Sequence, residues 1–435
     1  MKNKVVNVIG AGLAGCEAAL YLAGHGVKVN LYEMKPKIKS PAHKMDSFCE
    51  LVCSNSLKNT EYDTSSGLLK AEILKLGSSV LPAAIECAVP SGGALSVDRN
   101  LFSQKVTELV AQNKNITVIC EKFDKINLSE PTIIATGPLT DSVLMKNLKS
   151  YIGGENCYFY DAIAPIVSLD SVDMTRAYWQ NRYNKGSTAD YLNCDMTKAE
   201  YELFFNELVN AETVELKEFE TQKVFEGCMP IEVMAKRGFD AMRFGPLKPV
   251  GLYDGSSLGK PYAVLQLRKE NDEGSMLNLV GFQTNLTFKE QKRVFSLIPA
   301  LKNAEFIRYG VMHRNSFINA PTCLNACSQL KDYPNIFIGG QLSGVEGYVE
   351  SMASGLYAAI NLLKYINGEP LIPLPPSTCL GAIYNYITTA SPVNFQPMNS
   401  NYGIIECKKE FKDKKEKRKY IYTQSMSEID KFLGL

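Results

Sequence analysis

The first 33 residues read as a strand, a glycine turn, a helix and a second strand ending on an acid, and few folds accommodate that order. Val5-Val6-Asn7-Val8-Ile9 is apolar and short. It runs into Gly10-Ala11-Gly12-Leu13-Ala14-Gly15, and residues from Cys16 to Gly24 favour a helix. Val27 to Tyr32 forms the next strand, and Glu33 closes it. Each glycine has a separate task in such a unit. Gly10 permits the tight turn, Gly12 lets the backbone approach a pyrophosphate, and Gly15 lets helix and strand pack closely. The helix N-terminus offers free N–H groups and the positive end of its dipole to phosphates. Glu33 is placed to accept hydrogen bonds from ribose hydroxyls.

The same grammar returns late in the chain. Thr132-Ile133-Ile134-Ala135-Thr136-Gly137 reads as a buried strand ending in a glycine turn. Ile336-Phe337-Ile338-Gly339-Gly340-Gln341 repeats it, followed by a helix-like run from Ser351 to Tyr365. Late strands that return to the cofactor favour FAD over NAD, although Gln341 stands where such enzymes often carry a carboxylate. Residues 171–300 are instead rich in Glu, Phe, Tyr and short strand-like runs. The expected architecture is α/β: a discontinuous Rossmann-type FAD-binding domain (1–170 and 301–435) with an inserted α+β domain (171–300).

No run of roughly 18 apolar residues suggests a membrane span, and the short N-terminal strand does not read as a signal peptide, so a cytoplasmic protein is expected. Twelve scattered cysteines and three histidines give neither a disulfide framework nor a convincing zinc site. The CxxxC pairs Cys49/Cys53 and Cys323/Cys327 lack supporting ligands, and no metal is expected. A net charge of +1 is silent about nucleic acid. Lys408 to Lys419 carries eight basic and three acidic residues, which suits a solvated helix face or a phosphate-contacting surface.

Two cysteines lie in segments unlike core. Cys53 follows an apolar pair and precedes Ser54-Asn55-Ser56, and Cys228 sits in Phe225-Glu226-Gly227-Cys228-Met229-Pro230. A loop can expose a thiol and stabilise its thiolate, while a buried structural cysteine is the alternative at each position.

Together with these cysteines, the segments ELVCSNSLK (Glu50 to Lys58), SVDR, IIATGPL, YFYDAIAPIV, FEGCMPIEVMA, RFGPLKPVGL, LVGFQTNL, RYGVMHRNSFINAP, GVEGYVESMASGL and NFQPMN resemble the folate- and FAD-dependent tRNA uracil-5 methyltransferases, the TrmFO family. The likeness covers almost the whole chain. It implies methyl transfer from methylenetetrahydrofolate to uracil C5, with FAD reduced by NADH or NADPH as the electron source and 5-methyluridine in the tRNA T-loop as product. By that resemblance Cys228 is the nucleophile that adds to the base. Cys53 acts at C5 as a base or holds the methylene, His313 stacks on the folate pterin, and Tyr348 lies beside the flavin or the extruded base. Departures at Cys49, Cys323, Cys327 and Gly340 keep open a relative acting on large-subunit (23S) ribosomal RNA. A small-molecule flavin oxidoreductase and an RNA-binding flavoprotein scaffold are the readings from other classes.

Overall fold

The computed structural model describes residues 5–40, 42–153, 157–162, 164–185, 188–214, 229–253, 255–271, 273–393 and 395–435, with backbone alone for 157–162, 313 and 314. Five parallel strands form the first sheet, in the order Ile336–Ile338, Thr132–Ile134, Val5–Ile9, Lys28–Tyr32 and Ile116–Ile119. The strands Val5–Ile9, Thr132–Ile134 and Ile336–Ile338 are mainly apolar because helices cover both faces of such a sheet. Val6, Val8, Ile133, Ile134, Ile336 and Phe337 are fully buried.

The helix Leu13–Gly24 is sheathed on nearly every side. It crosses the long helix Tyr348–Asn367 at a distance only glycine allows: a Cβ at Gly355 would stand 2.1 Å from the Ala14 carbonyl oxygen. Both helices begin at the C-terminal edge of the parallel sheet, where open α/β sheets bind their ligands.

The second sheet is largely antiparallel, in the order Ala177–Trp179, Tyr191–Met196, Ala263–Lys269, Met276–Leu279, Ile166–Ser168 and Phe306–Arg308. It has its own core, from Val167 to Ala304, against which helices Lys198–Val209 and Phe288–Phe295 pack. Strands Met312–Phe317 and Cys157–Ala162 pair antiparallel as a separate two-stranded sheet. The flanking strands Ile166–Ser168 and Phe306–Arg308 extend this sheet a few residues beyond 171–300 on either side. Among the described residues, no helix is long and apolar enough to cross a membrane.

Two buried carboxylates fasten helix ends in the first core. Glu17 accepts from Ser78 Oγ (2.6 Å) and from the backbone N–H of Ser79 (2.6 Å) and Val80 (3.2 Å), at the start of helix Val80–Glu86. Glu72 does the same for Cys379 (2.6 Å) and Leu380 (2.9 Å) of helix Cys379–Thr389, and accepts from Ser425 of the terminal helix Lys414–Leu433 (2.5 Å). Free helical N–H groups satisfied in this way resist fraying. Burial pushes each carboxyl up to about 7, against the pull of those hydrogen bonds.

A carboxyl that holds its proton in the folded state, yet loses it near 4.5 when unfolded, stabilises the fold at low pH. That contribution, up to about 3 kcal/mol per group, is lost as pH rises from 4.5 towards 7 and above. Glu72→Gln, which cannot titrate, is therefore expected to flatten the fall in melting temperature between pH 5 and pH 8. Thermal unfolding across that range checks it; a variant curve as steep as the wild type contradicts the assignment.

Candidate active site

One cavity of about 390 Å³ opens at the C-terminal edge of the first sheet. Its wall includes the glycine turn, Glu33, Gly137, Gly340, Gln341, Cys53 and Tyr348, so these separately read residues share one space. Cys228 lies outside the described residues. His313 is on the strand Met312–Phe317, paired with Asp161, and its side chain is likewise undescribed.

At the glycine end the geometry suits a dinucleotide. Gly10 has φ +97, and a Cβ there would lie 2.7 Å from the Ala135 carbonyl oxygen. A Cβ on Gly15 would stand 1.8 Å from the Gly10 carbonyl oxygen, so its tightest constraint is the turn itself. A Cβ on Gly12 would meet nothing within 4 Å, which leaves a bare backbone surface for a ligand to approach. The helix begins there without a side-chain cap and without an acid in its first turn. Its N–H groups and dipole are thus available to an anion. Glu33 is 8% exposed and held by two backbone donors, Ala11 N–H (2.9 Å) and Lys35 N–H (3.0 Å). These bonds fix the carboxylate at the cavity wall, where it can also accept from a sugar.

Towards the other end, Tyr348 Oη accepts from the Cys53 backbone N–H at 2.8 Å. Three guanidinium groups grip the Cys53 loop. Arg99 donates to the carbonyls of Leu51 (2.5 Å) and Cys53 (3.0 Å), and Arg308 to that of Val52 (2.6 Å). Arg268 binds Ser54 Oγ (2.8 Å) and Asn55 Oδ1 (3.1 Å). Arg268 and Arg308 come from the second sheet, and Glu270, one residue past the strand Ala263–Lys269, pairs with Arg99 Nε at 2.5 Å. Burial works against the Arg99 charge, but Glu270 outweighs it and the group is held above its ordinary value. Arg308 is pushed down by burial and by its neighbour Arg99. The Cys53 loop is therefore held by three guanidinium groups, with the Glu270 carboxylate paired among them.

A second ion pair borders the same region. Lys58, in the left-handed conformation (φ +62), contacts the fully buried Glu350 at 2.7 Å. Ser400 donates to Glu350 through its backbone (2.9 Å) and its hydroxyl (2.7 Å). Burial alone would raise the Glu350 carboxyl, yet Lys58 and Ser400 hold it below its ordinary value. Gln341 donates to Glu346, which supplies a carboxylate five residues on from the place where one was expected. None of Arg99, Arg268, Arg308, Lys58 or Glu350 was singled out from sequence, although Arg99, Arg308, Lys58 and Glu350 fall within the motifs SVDR, RYGVMHRNSFINAP, ELVCSNSLK and GVEGYVESMASGL.

Comparison with known proteins gives concordant findings. Residues 5–370 match the family model for glucose inhibited division protein A. A methylenetetrahydrofolate–tRNA-(uracil-5-)-methyltransferase TrmFO from Acetivibrio thermocellus is 56% identical over 92% of both chains. One of the same name from Caldicellulosiruptor bescii is 53% identical over 97% of both. Among solved structures, Aquifex aeolicus GidA superposes with a TM-score of 0.69 at 15% identity, covering 98% of this chain and 74% of that one, a likeness of fold.

Removing one partner of the Arg99–Glu270 pair leaves a buried charge uncompensated, at a cost of about 3–5 kcal/mol. Arg99→Leu is expected to lose stability on that scale, and Arg99→Leu/Glu270→Leu to regain most of it. Urea unfolding of the two variants checks this; equal losses would show that the charge pair is not what makes Arg99 costly to remove.

Proposed function

We propose, on the premise that this chain belongs to the glucose inhibited division protein A family as a TrmFO-type member, that it methylates C5 of a uridine in tRNA with methylenetetrahydrofolate as the one-carbon donor. The observation that carries this reading is the single cavity joining a dinucleotide-binding turn to the gripped Cys53 loop, in a chain 50–56% identical to TrmFO relatives along most or all of its length. The protein is an FAD enzyme, and FAD reduced by NADH or NADPH supplies the electrons that convert the methylene into a methyl group. A cytoplasmic location, where tRNA is processed, goes with this reading.

The residues divide the work. Gly10, Ala11, Gly12, Leu13, Ala14 and Gly15 receive the pyrophosphate, and Glu33 binds the adenosine ribose. Gly137, Gly340, Gln341 and Tyr348 border the redox end. Uracil C5 is a poor nucleophile until a thiolate adds at C6, and Cys228 makes that bond. The electron pair displaced from the C5–C6 double bond then forms the bond from C5 to the one-carbon unit. Loss of the C5 proton expels the carrier nitrogen from the one-carbon unit and leaves an exocyclic methylene on C5. A hydride added to that carbon returns an electron pair to the ring, which re-forms the C5–C6 double bond as the Cys228 thiolate departs. Cys53, held among arginines, accepts that proton or steadies the methylene, and His313 stacks on the pterin. Residues 171–300, with their flanking strands, form the inserted domain, which together with the basic C-terminal segment is the candidate face for RNA.

The test is methyl transfer by the purified yellow protein, given methylenetetrahydrofolate and NADH or NADPH. Unmodified tRNA and 23S ribosomal RNA are offered separately, and nucleosides are analysed for 5-methyluridine. Product is expected in tRNA, and Cys228→Ala is expected to lose it while retaining FAD absorbance. Product in ribosomal RNA alone would reassign the substrate, and product in neither would overturn the reading.

A further inference from the structure

On the second sheet, the segment Arg243 to Gly251 leaves large apolar side chains in water. Phe244 is 82% exposed and Val250 41%. Tyr183, whose ring lies against Gly251 (2.9 Å to a Cβ built there), is 58% exposed. A solitary exposed apolar residue needs no explanation; several on one braced segment do.

The bracing is extensive. Arg182 Nη1 donates to the carbonyls of Lys248 (2.9 Å) and Val250 (2.5 Å), and its Nη2 to Gln266 Oε1 (3.0 Å). Tyr178 Oη donates to the Leu252 carbonyl (2.5 Å), and the Tyr183 N–H to that of Gly251 (3.0 Å). Beneath Phe244, Arg243 donates to the Tyr262 carbonyl (3.0 Å) and lies over the Tyr262 ring. A loop held this firmly, with its rings outward, has already lost the conformational entropy that binding would otherwise cost.

Its place points to the occupant. Pro246 packs on Gly281, where a Cβ would be 2.5 Å away, and Gln283, two residues on, lines the cavity. The Gln283 carbonyl accepts from Ile231 N–H at 2.7 Å, three residues after Cys228 in the chain. Lys236 and Arg237, which end the helix begun by Ile231, are exposed, as are Lys185 and Lys260. Exposed aromatic rings on a braced loop, with exposed cations in the neighbouring segments, suit single-stranded nucleic acid, whose bases stack while its phosphates meet the charges.

We propose that this braced ridge is a base-stacking platform, with Phe244 receiving an unstacked base of the RNA loop whose uridine enters the cavity. The inference rests on the RNA substrate assigned above and names the surface that holds it. Because Phe244 is exposed, its removal leaves the core intact, so Phe244→Ala tests binding rather than folding. The KM for tRNA is expected to rise about tenfold, the order that loss of one base stack produces, with a smaller change in kcat. Phe244→Trp, made with Trp179→Phe so that it carries the only indole, is expected to keep near-native KM and to lose emission on addition of tRNA. An unchanged KM in Phe244→Ala, or an emission that tRNA leaves unaltered, overturns the platform. A change in sedimentation of Phe244→Ala would overturn it too, by assigning the ridge to contact between copies of the chain. Wild-type protein that neither binds nor methylates tRNA would refute the substrate itself, a separate failure read in the unmutated enzyme.

Discussion

Close contact between two helices at glycine organises the part of the molecule built on the parallel sheet. Gly355 brings the helix Tyr348–Asn367 against the backbone of Ala14, while Gly15 brings the turn against its own helix. No other side chain fits at either point without moving backbone. The result is that residues more than three hundred positions apart, Gly12 and Tyr348, begin helices bordering one cavity. Binding geometry here follows from packing distance first and from hydrogen bonding second.

The second organising element is electrostatic. Arg268 and Arg308 from the second sheet, Glu270 just past its strand Ala263–Lys269, and Arg99 from the helix Arg99–Gln112 converge on the loop of Cys53. Buried guanidinium groups are tolerated because planar donors find several carbonyls at once and because Glu270 offsets part of the charge. Lys58 and Glu350 repeat the arrangement nearby with a single pair. The cavity thus presents bare backbone N–H groups along its glycine wall and, at its other end, a loop held by charged side chains.

Much of the first sheet was legible because its signals are local. The period of the first strand, the spacing of Gly10, Gly12 and Gly15, and the acid at Glu33 lie within one continuous stretch. The late helix was read from Ser351 to Tyr365 and spans Tyr348–Asn367, so only its ends differed. Strand order could not be read in the same way. That Thr132–Ile134 lies between Val5–Ile9 and Ile336–Ile338 depends on pairings across more than a hundred residues. The arginine clamp has the same character, with Arg308 reaching a carbonyl 256 residues away. Isolated charges with distant partners leave no periodic trace. The aromatic ridge was hidden for another reason: Phe244 looks like any core phenylalanine until its exposure is known.

The shared clamp also bears on how this architecture can diversify. A domain attached by a flexible linker can be exchanged, since its neighbour does not depend on its side chains. Here the loop bearing Cys53 belongs to one unit in sequence and to both in its supports. Replacing the segment between Ser168 and Phe306 would remove Arg268 and Glu270, and with them part of that loop's support. A change confined to side chains on the outer surface of the second sheet therefore leaves the Cys53 loop's supports in place, whereas replacement of the whole segment does not.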